Sequence, residues 1–160
     1  MKIGLISDTH DHLVKINEAI KLFNWEKVDY VIHCGDFIAP FAMKLFGNLT
    51  MPFLGIFGNN DGEKDGLKKV VEKFGEIYDS PIIKEFDSKT FLISHSFIPE
   101  EKLSKYKKID YLIYGHTHIK EMQGSSPLLI NPGECCGWLT GISTVAILDT
   151  KTNEVEFKNI

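Results

Sequence analysis

Six β-prone apolar runs in this sequence each end at a polar residue able to hold a metal ion or an anion. Ile3-Gly4-Leu5-Ile6 leads to Asp8 and His10, Tyr30-Val31-Ile32 to Asp36, and Phe53-Leu54-Gly55-Ile56-Phe57 to Asn59. Phe91-Leu92-Ile93 leads to His95, Tyr111-Leu112-Ile113-Tyr114 to His116 and His118, and Leu128-Leu129-Ile130 to Asn131. In extended backbone the Asp8-x-His10 spacing leans both side chains to one face. Gly35 lets the chain turn sharply so that Asp36 projects from a sheet edge. Gly58-Asn59-Asn60-Asp61 repeats the strand-glycine-polar arrangement, and Gly115-His116-Thr117-His118 adds two imidazoles. Taken singly, each has a plainer reading: Asp8 and Asp36 as helix N-caps, Asn59-Asn60-Asp61-Gly62 as a turn, a histidine as a hydrogen-bonded surface or core residue. Jointly, those readings need four of the six histidines and two carboxylates to gather at strand ends by accident.

Helix-period segments follow several of these strands. If the strands lie side by side and largely parallel, their carboxyl ends converge where open α/β sheets place ligands. Leu13, Ile16, Ala19, Ile20 and Phe23 recur at helical spacing with Lys15, Glu18 and Lys21 on the other side, which predicts an amphipathic helix. A shorter helix is expected over 39–46, with Pro40 tolerated in its first turn. Leu67, Val70, Val71 and Phe74 mark a third, expected to end at Gly75 in a left-handed cap. Beyond Gly75 strands dominate: 81–86 and 90–93 as a hairpin across Asp87-Ser88-Lys89, then 111–114, 127–130, 143–148 and 154–158, with a short helix over 99–107 and a turn at Thr152-Asn153. This pattern predicts two sheets packed face to face with helices outside, in one domain spanning 1–160. No repeat, low-complexity stretch or linker interrupts it.

The 160 residues suffice for a real core without disulfide staples. Composition is that of a soluble globular protein, at 43% hydrophobic and 25% charged, and no apolar run approaches bilayer-spanning length. Met1-Lys2 leads straight into a strand without signal-peptide features, so the expected location is cytoplasmic. Cys34, Cys135 and Cys136 cannot all pair and show no C-x-x-C spacing, which favours reduced, buried thiols. Net charge is −4 and the pI about 5.8, so no global positive field collects nucleic acid. Lys102, Lys105, Lys107 and Lys108, the densest basic stretch, read as the solvated face of a helix.

The order D-x-H, GD, GN-x-D, H, GHTH resembles the calcineurin-like metallophosphoesterases, in particular the small YfcE-type phosphodiesterases. Asn131-Pro132-Gly133-Glu134-Cys135-Cys136-Gly137 is similar to the ending of that subgroup. The resemblance spans nearly the whole chain. It implies an α/β fold, a four-layer αββα sandwich of two mixed sheets flanked by helices, with two divalent metal ions per chain. One ion would take Asp8, His10, His118 and a bridging Asp36; the other would share Asp36 and take Asn59, His95 and His116. Mixed nitrogen and oxygen ligands without thiolate suit Mn²⁺ or Ni²⁺, with Fe²⁺, Co²⁺, Zn²⁺ and Mg²⁺ as alternatives. Two dications against two aspartates leave the site attractive to phosphate, and a hydroxide bridging the ions would be the nucleophile.

By the same resemblance Asp36, Asn59, Asn60 and Asp61 are the catalytic positions, with Asp61 orienting a neighbouring group. Two departures stand out. Many relatives have histidine where this chain has Asn60, and an amide is no general acid near neutral pH, so activated aryl diesters are expected to react better than alkyl phosphates. Ser94-His95-Ser96 stands where relatives often have glycines around the histidine. His12 is a candidate substitute acid or a helix-start residue, and His33 a structural one. The expected function is a dinuclear metal-dependent phosphodiesterase acting on a small phosphodiester, in a form for which a homodimer is unsurprising. The alternatives are a protein-binding scaffold of the same fold, and a phosphomonoesterase or pyrophosphatase.

Overall fold

The structure, a computed structural model, describes residues 1–106 and 108–160. Its first half alternates strand and helix: β1 (Lys2–Ile6), α1 (Leu13–Glu26), β2 (Tyr30–His33), α2 (Pro40–Met43) running into a 3₁₀ segment (Lys44–Asn48), β3 (Phe53–Ile56), α3 (Lys64–Val71) and β4 (Gly75–Tyr78). The second half is strand-rich: β5 (Ile82–Phe86), β6 (Lys89–Ile93), α4 (Glu100–Leu103), β7 (Tyr111–Ile113), β8 (Lys120–Gln123), β9 (Leu128–Pro132), β10 (Thr144–Asp149) and β11 (Glu154–Asn159).

These strands form two sheets, ordered β11-β10-β1-β2-β3-β4 and β5-β6-β7-β9-β8. The β1-β2-β3-β4 and β6-β7-β9 blocks are parallel, and antiparallel strands flank them, so both sheets are mixed. Period-two alternation sets the layers. Ile3 and Leu5 of β1 face the second sheet, where they meet Phe91, Ile93, Tyr111, Ile113 and Ile130, while Ile6 faces Ile16, Ala19, Ile20 and Phe23 of α1. Gly4 lets the Phe23 ring lie directly on β1, because a Cβ there would overlap it. Each fully buried apolar side chain in these layers contributes about 1.5–3 kcal/mol. Leu92, Leu112 and Tyr114 turn outward from the second sheet under Leu103 and Tyr106, completing an αββα sandwich.

Several expected boundaries moved. The 39–46 helix is split between α-helical and 3₁₀ geometry, and the described part of the 99–107 helix contracts to α4. Leu13, expected on the apolar face of α1, is exposed. The hairpin loop holds two residues rather than three: Lys89 pairs with Phe86, and Asp87 and Ser88 both take left-handed φ, as a tight primed turn requires. Gly75 is not a helix cap. It opens β4, an unexpected strand, where it pairs with Phe53 so closely that a Cβ would overlap the Phe53 carbonyl. β8 was also unexpected. Lys102, Lys105 and Lys108 are exposed, as a solvated face requires, and Lys107 lies outside the described residues. All three cysteines are reduced and buried. No helix among the described residues is long and apolar enough to cross a membrane.

Candidate metal centre

The loops that leave β1 and β2 are laced together by backbone hydrogen bonds. Asp8 N donates to Gly35 O, and Thr9 N and His10 N both donate to Asp36 O, each over 3.1 Å. The second sheet is tied in by His116 N donating to the Asp8 carboxylate over 3.0 Å and by Cys136 N donating to Asp8 O over 3.1 Å. Within these loops Asp8, His10, Asp36, His116 and His118 all have left-handed backbone, with φ of 52°, 38°, 61°, 68° and 63°. Such residues cost about 1–3 kcal/mol each and persist only where their surroundings over-determine them. Two glycines permit the close approach. A Cβ at Gly58 would occupy the place of the Asp36 carboxylate, and one at Gly115 that of the Ser7 hydroxyl.

All seven expected ligands meet in this region. Asp8, His10 and His118 form one group, with Asp8 Oδ1 at 3.9 Å from His10 Nε2 and 3.6 Å from His118 Nε2. Asp8, Asp36 and His95 form another. Asp36 Oδ2 lies 3.6 Å from His10 Nε2 and 3.4 Å from His95 Nε2, between the two groups. Asn59 Oδ1 and His116 Nδ1 join through His95 Nε2, at 2.9 and 3.2 Å. His95 Nδ1 donates to the Cys34 carbonyl over 2.7 Å, which turns Nε2 toward this cluster.

Asn60 and Asp61 act on Asp36. Asn60 donates to it twice, from its backbone N–H over 3.0 Å and from its side-chain amide over 2.8 Å. The Asp61 carboxylate accepts from the N–H groups of Asp36, Ile38 and Gly58. His12 caps α1, accepting from Lys15 N, and stacks on Trp138 at 4.5 Å. His33 is buried among Phe37, Phe46 and Phe53, bonded to Thr9 and Gly35, and is structural.

The carboxylates are not equivalent. Burial pushes Asp8 above the usual carboxylate range. Burial acts the same way on Asp36, but the His95 imidazole and the Asn60 donors outweigh it and hold Asp36 well below that range. Burial lowers His95, yet the adjacent Asp36 carboxylate outweighs burial and leaves it raised.

These residues fit metal ions. Among the described residues, the buried side-chain atoms without a hydrogen-bond partner are Ser7 Oγ, Asp8 Oδ1 and His10 Nε2. Two of the three face each other across the site. Unpartnered buried acceptors are costly, and a cation between them would satisfy both. The seven residues offer oxygen and nitrogen only; His118 also belongs to a third close group with Glu134 and Cys136, whose thiol burial and Glu134 push up to about 12.

The sequence carried no assigned role for Glu134, which is fully buried. It accepts from His118 Nδ1 over 2.8 Å and from the 136–140 segment. Burial raises its carboxyl, but the donors from His118, Thr140 and Cys136 bring it down to about 2. Asn131, noted only as a strand end, braces the loop before His118 by donating to Gly115 O and Thr117 Oγ1.

Comparison with known proteins gives a consistent picture. The model of the calcineurin-like phosphoesterase superfamily domain matches residues 1–153. Phosphodiesterase MJ0936 of Methanocaldococcus jannaschii is 47% identical over 159 residues, covering 96% of each chain. A solved archaeal phosphodiesterase superposes with a TM-score of 0.90 at 44% identity, over the whole of both chains. The Escherichia coli phosphoesterase Yfce, at 19% identity and TM-score 0.68 over 100% of this chain and 98% of that one, shares the fold. So does Vps29 of Chaetomium thermophilum, at 14% identity and TM-score 0.72 over 99% and 96%.

Proposed function

The chain belongs to the calcineurin-like phosphoesterase superfamily, and from that premise we propose that it is a metal-dependent phosphodiesterase holding two divalent cations. Asp8, His10, Asp36 and His118 would hold one ion, and Asp36, Asn59, His95 and His116 the other. The position of the Asp36 carboxylate between His10 and His95 carries this reading, since one side chain reaches both groups. Mn²⁺ or Ni²⁺ suits the oxygen and nitrogen donors, with Fe²⁺, Co²⁺, Zn²⁺ and Mg²⁺ as alternatives. When bound, such a pair supplies a hydroxide nucleophile at neutral pH and positive charge for the phosphoryl oxygens.

The chain's own residues set the rest of the chemistry. Asn60 and Asp61 hold Asp36 in place, and neither donates a proton to the leaving group. His12 is committed to the start of α1 and to Trp138. The leaving group therefore departs with little protonation, which favours aryl over alkyl diesters. A purely protein-binding role would tolerate lost ligands, whereas here the full set is present and braced by hydrogen bonds from both sheets.

The test is hydrolysis of bis-p-nitrophenyl phosphate and p-nitrophenyl phosphate after chelation and after return of Mn²⁺, Ni²⁺ or Mg²⁺, with Asp36→Asn as the control. Diester cleavage restored by metal and lost in the variant is expected. A folded, metal-loaded protein that cleaves neither compound would favour the protein-binding scaffold over a phosphodiesterase, and preference for the monoester would reassign the substrate class.

A further inference from the structure

We infer that Glu134 is a positioning residue that fixes which nitrogen of His118 is free to bind a metal, an inference that rests on the metal-site reading above. A carboxylate only accepts hydrogen bonds, so the 2.8 Å contact between Glu134 Oε2 and His118 Nδ1 places the imidazole proton on Nδ1. Nε2 then carries the lone pair, and it is Nε2 that faces Asp8 Oδ1 at 3.6 Å. A histidine whose second nitrogen is tied to a carboxylate is the arrangement that holds metal-ligating imidazoles in one tautomer and orientation.

Glu134 is itself held so that it cannot turn away. Its Oε1 accepts from Leu139 N at 3.1 Å, Thr140 N at 2.5 Å and Thr140 Oγ1 at 2.7 Å. Its Oε2 also accepts from the Cys136 thiol at 3.2 Å. The same side chain thus joins His118 to the loop that carries Trp138 and Leu139, both exposed.

This donor arrangement makes Glu134→Gln informative. The glutamine oxygen can satisfy Leu139 N and Thr140 N only by turning its NH₂ toward His118 Nδ1. Nδ1 must then accept, the proton moves to Nε2, and a donor replaces the lone pair facing Asp8. The opposite amide orientation keeps Leu139 N, which also donates to the Oε2 position over 3.2 Å, but sets the NH₂ against Thr140 N and is disfavoured.

The experiment is long-range ¹H–¹⁵N NMR of the metal-free protein, which distinguishes the two imidazole tautomers, followed by titration with Mn²⁺. The unmodified protein should carry the His118 proton on Nδ1, and Glu134→Gln on Nε2. Mn²⁺ affinity should fall about 10–100-fold in the variant. Thr140→Val, which removes the hydroxyl's bonds to Glu134, Ile142 O and Ile142 N but keeps Thr140 N donating to Glu134, should keep the native tautomer. A proton on Nε2 in the unmodified protein would overturn the inference, whether or not the variant folds. So would a variant with unchanged tautomer and Mn²⁺ affinity within about twofold of the unmodified protein. Absence of binding of Mn²⁺, Ni²⁺ and Zn²⁺ alike by the unmodified protein would instead overturn the metal centre, and is told apart because it shows before any substitution is made.

Discussion

The backbone N–H of Asp36 donates to the carboxylate of Asp61 over 3.0 Å, although 25 residues separate them. Through Asp61 the loop after β3 sets the conformation of the loop after β2, since Ile38 N and Gly58 N share the same acceptor. Asp61→Asn leaves one amide oxygen for three donors and turns an NH₂ group toward them. The variant is expected to fold, with metal affinity and kcat each lower by about 10–100-fold. Isothermal titration with Mn²⁺ and diester turnover check this, and unchanged Mn²⁺ affinity would show that Asp61 does not position Asp36.

Metal removal should reach beyond activity. The proposed ligands come from both sheets, so an ion bound only in the folded state stabilises the sandwich as a whole. At a free concentration of about 100 times Kd the gain is about 2.7 kcal/mol, equivalent to about 5–11 °C in Tm for a domain of this size. Thermal unfolding with Mn²⁺ and with chelator measures the difference. Identical Tm values would mean that no ion binds the native state preferentially.

Asn60 is where a general acid is missing, and Asn60→His offers one. Alkyl diester turnover should rise toward the roughly 10²–10⁴-fold that such catalysis supplies, while aryl diester turnover changes little. The imidazole also replaces the amide donor to Asp36, so kcat for both substrates is compared in parallel. An unchanged aryl-to-alkyl ratio would refute the missing-acid explanation.

His33 predicts a dependence of stability on pH. Burial drives its imidazole well below the ordinary value of 6.5, and Gly35 N donates to its Nδ1, a bond that protonation would destroy. The folded state refuses a proton that the unfolded chain accepts, so the contribution is complete above pH 6.5 and is lost as pH falls below it. The loss is about 1.4 kcal/mol per pH unit. Urea unfolding of metal-free protein at pH 6.5 and 5.5 should show a loss of stability that is smaller by about 1 kcal/mol in His33→Gln, because the unfolded imidazole is already half protonated at pH 6.5 and the full slope is reached only below about pH 5.5. Equal slopes would mean that His33 titrates alike in both states.

Much of the site was legible because its residues follow apolar runs whose β character is local. Asp8, Asp36, Asn59, His95 and His118 each inherit their place from the strand before them. The two strands that escaped notice lack that signature. Gly75–Tyr78 mixes glycine and glutamate into a sheet edge, and Lys120–Gln123 is exposed at every residue. Gly75 misled because glycine serves close approach as well as helix ends, and only the register with Phe53 distinguishes the two. Glu134 escaped for a different reason. Its meaning lies in contacts to His118 and to a loop, and no spacing rule encodes a partner 16 residues away.

The placement of β1 between β2 and β10 has a consequence for when this protein can act during its synthesis. The strand that delivers Asp8 and His10 leaves the ribosome about 140 residues ahead of its second neighbour, Thr144–Asp149. At about 5–20 residues per second, β1 waits several seconds with one side unpaired. A nascent chain is thus expected to lack the assembled metal centre until Thr144–Asp149 has emerged and paired, which ties metal capture to the closing of that sheet.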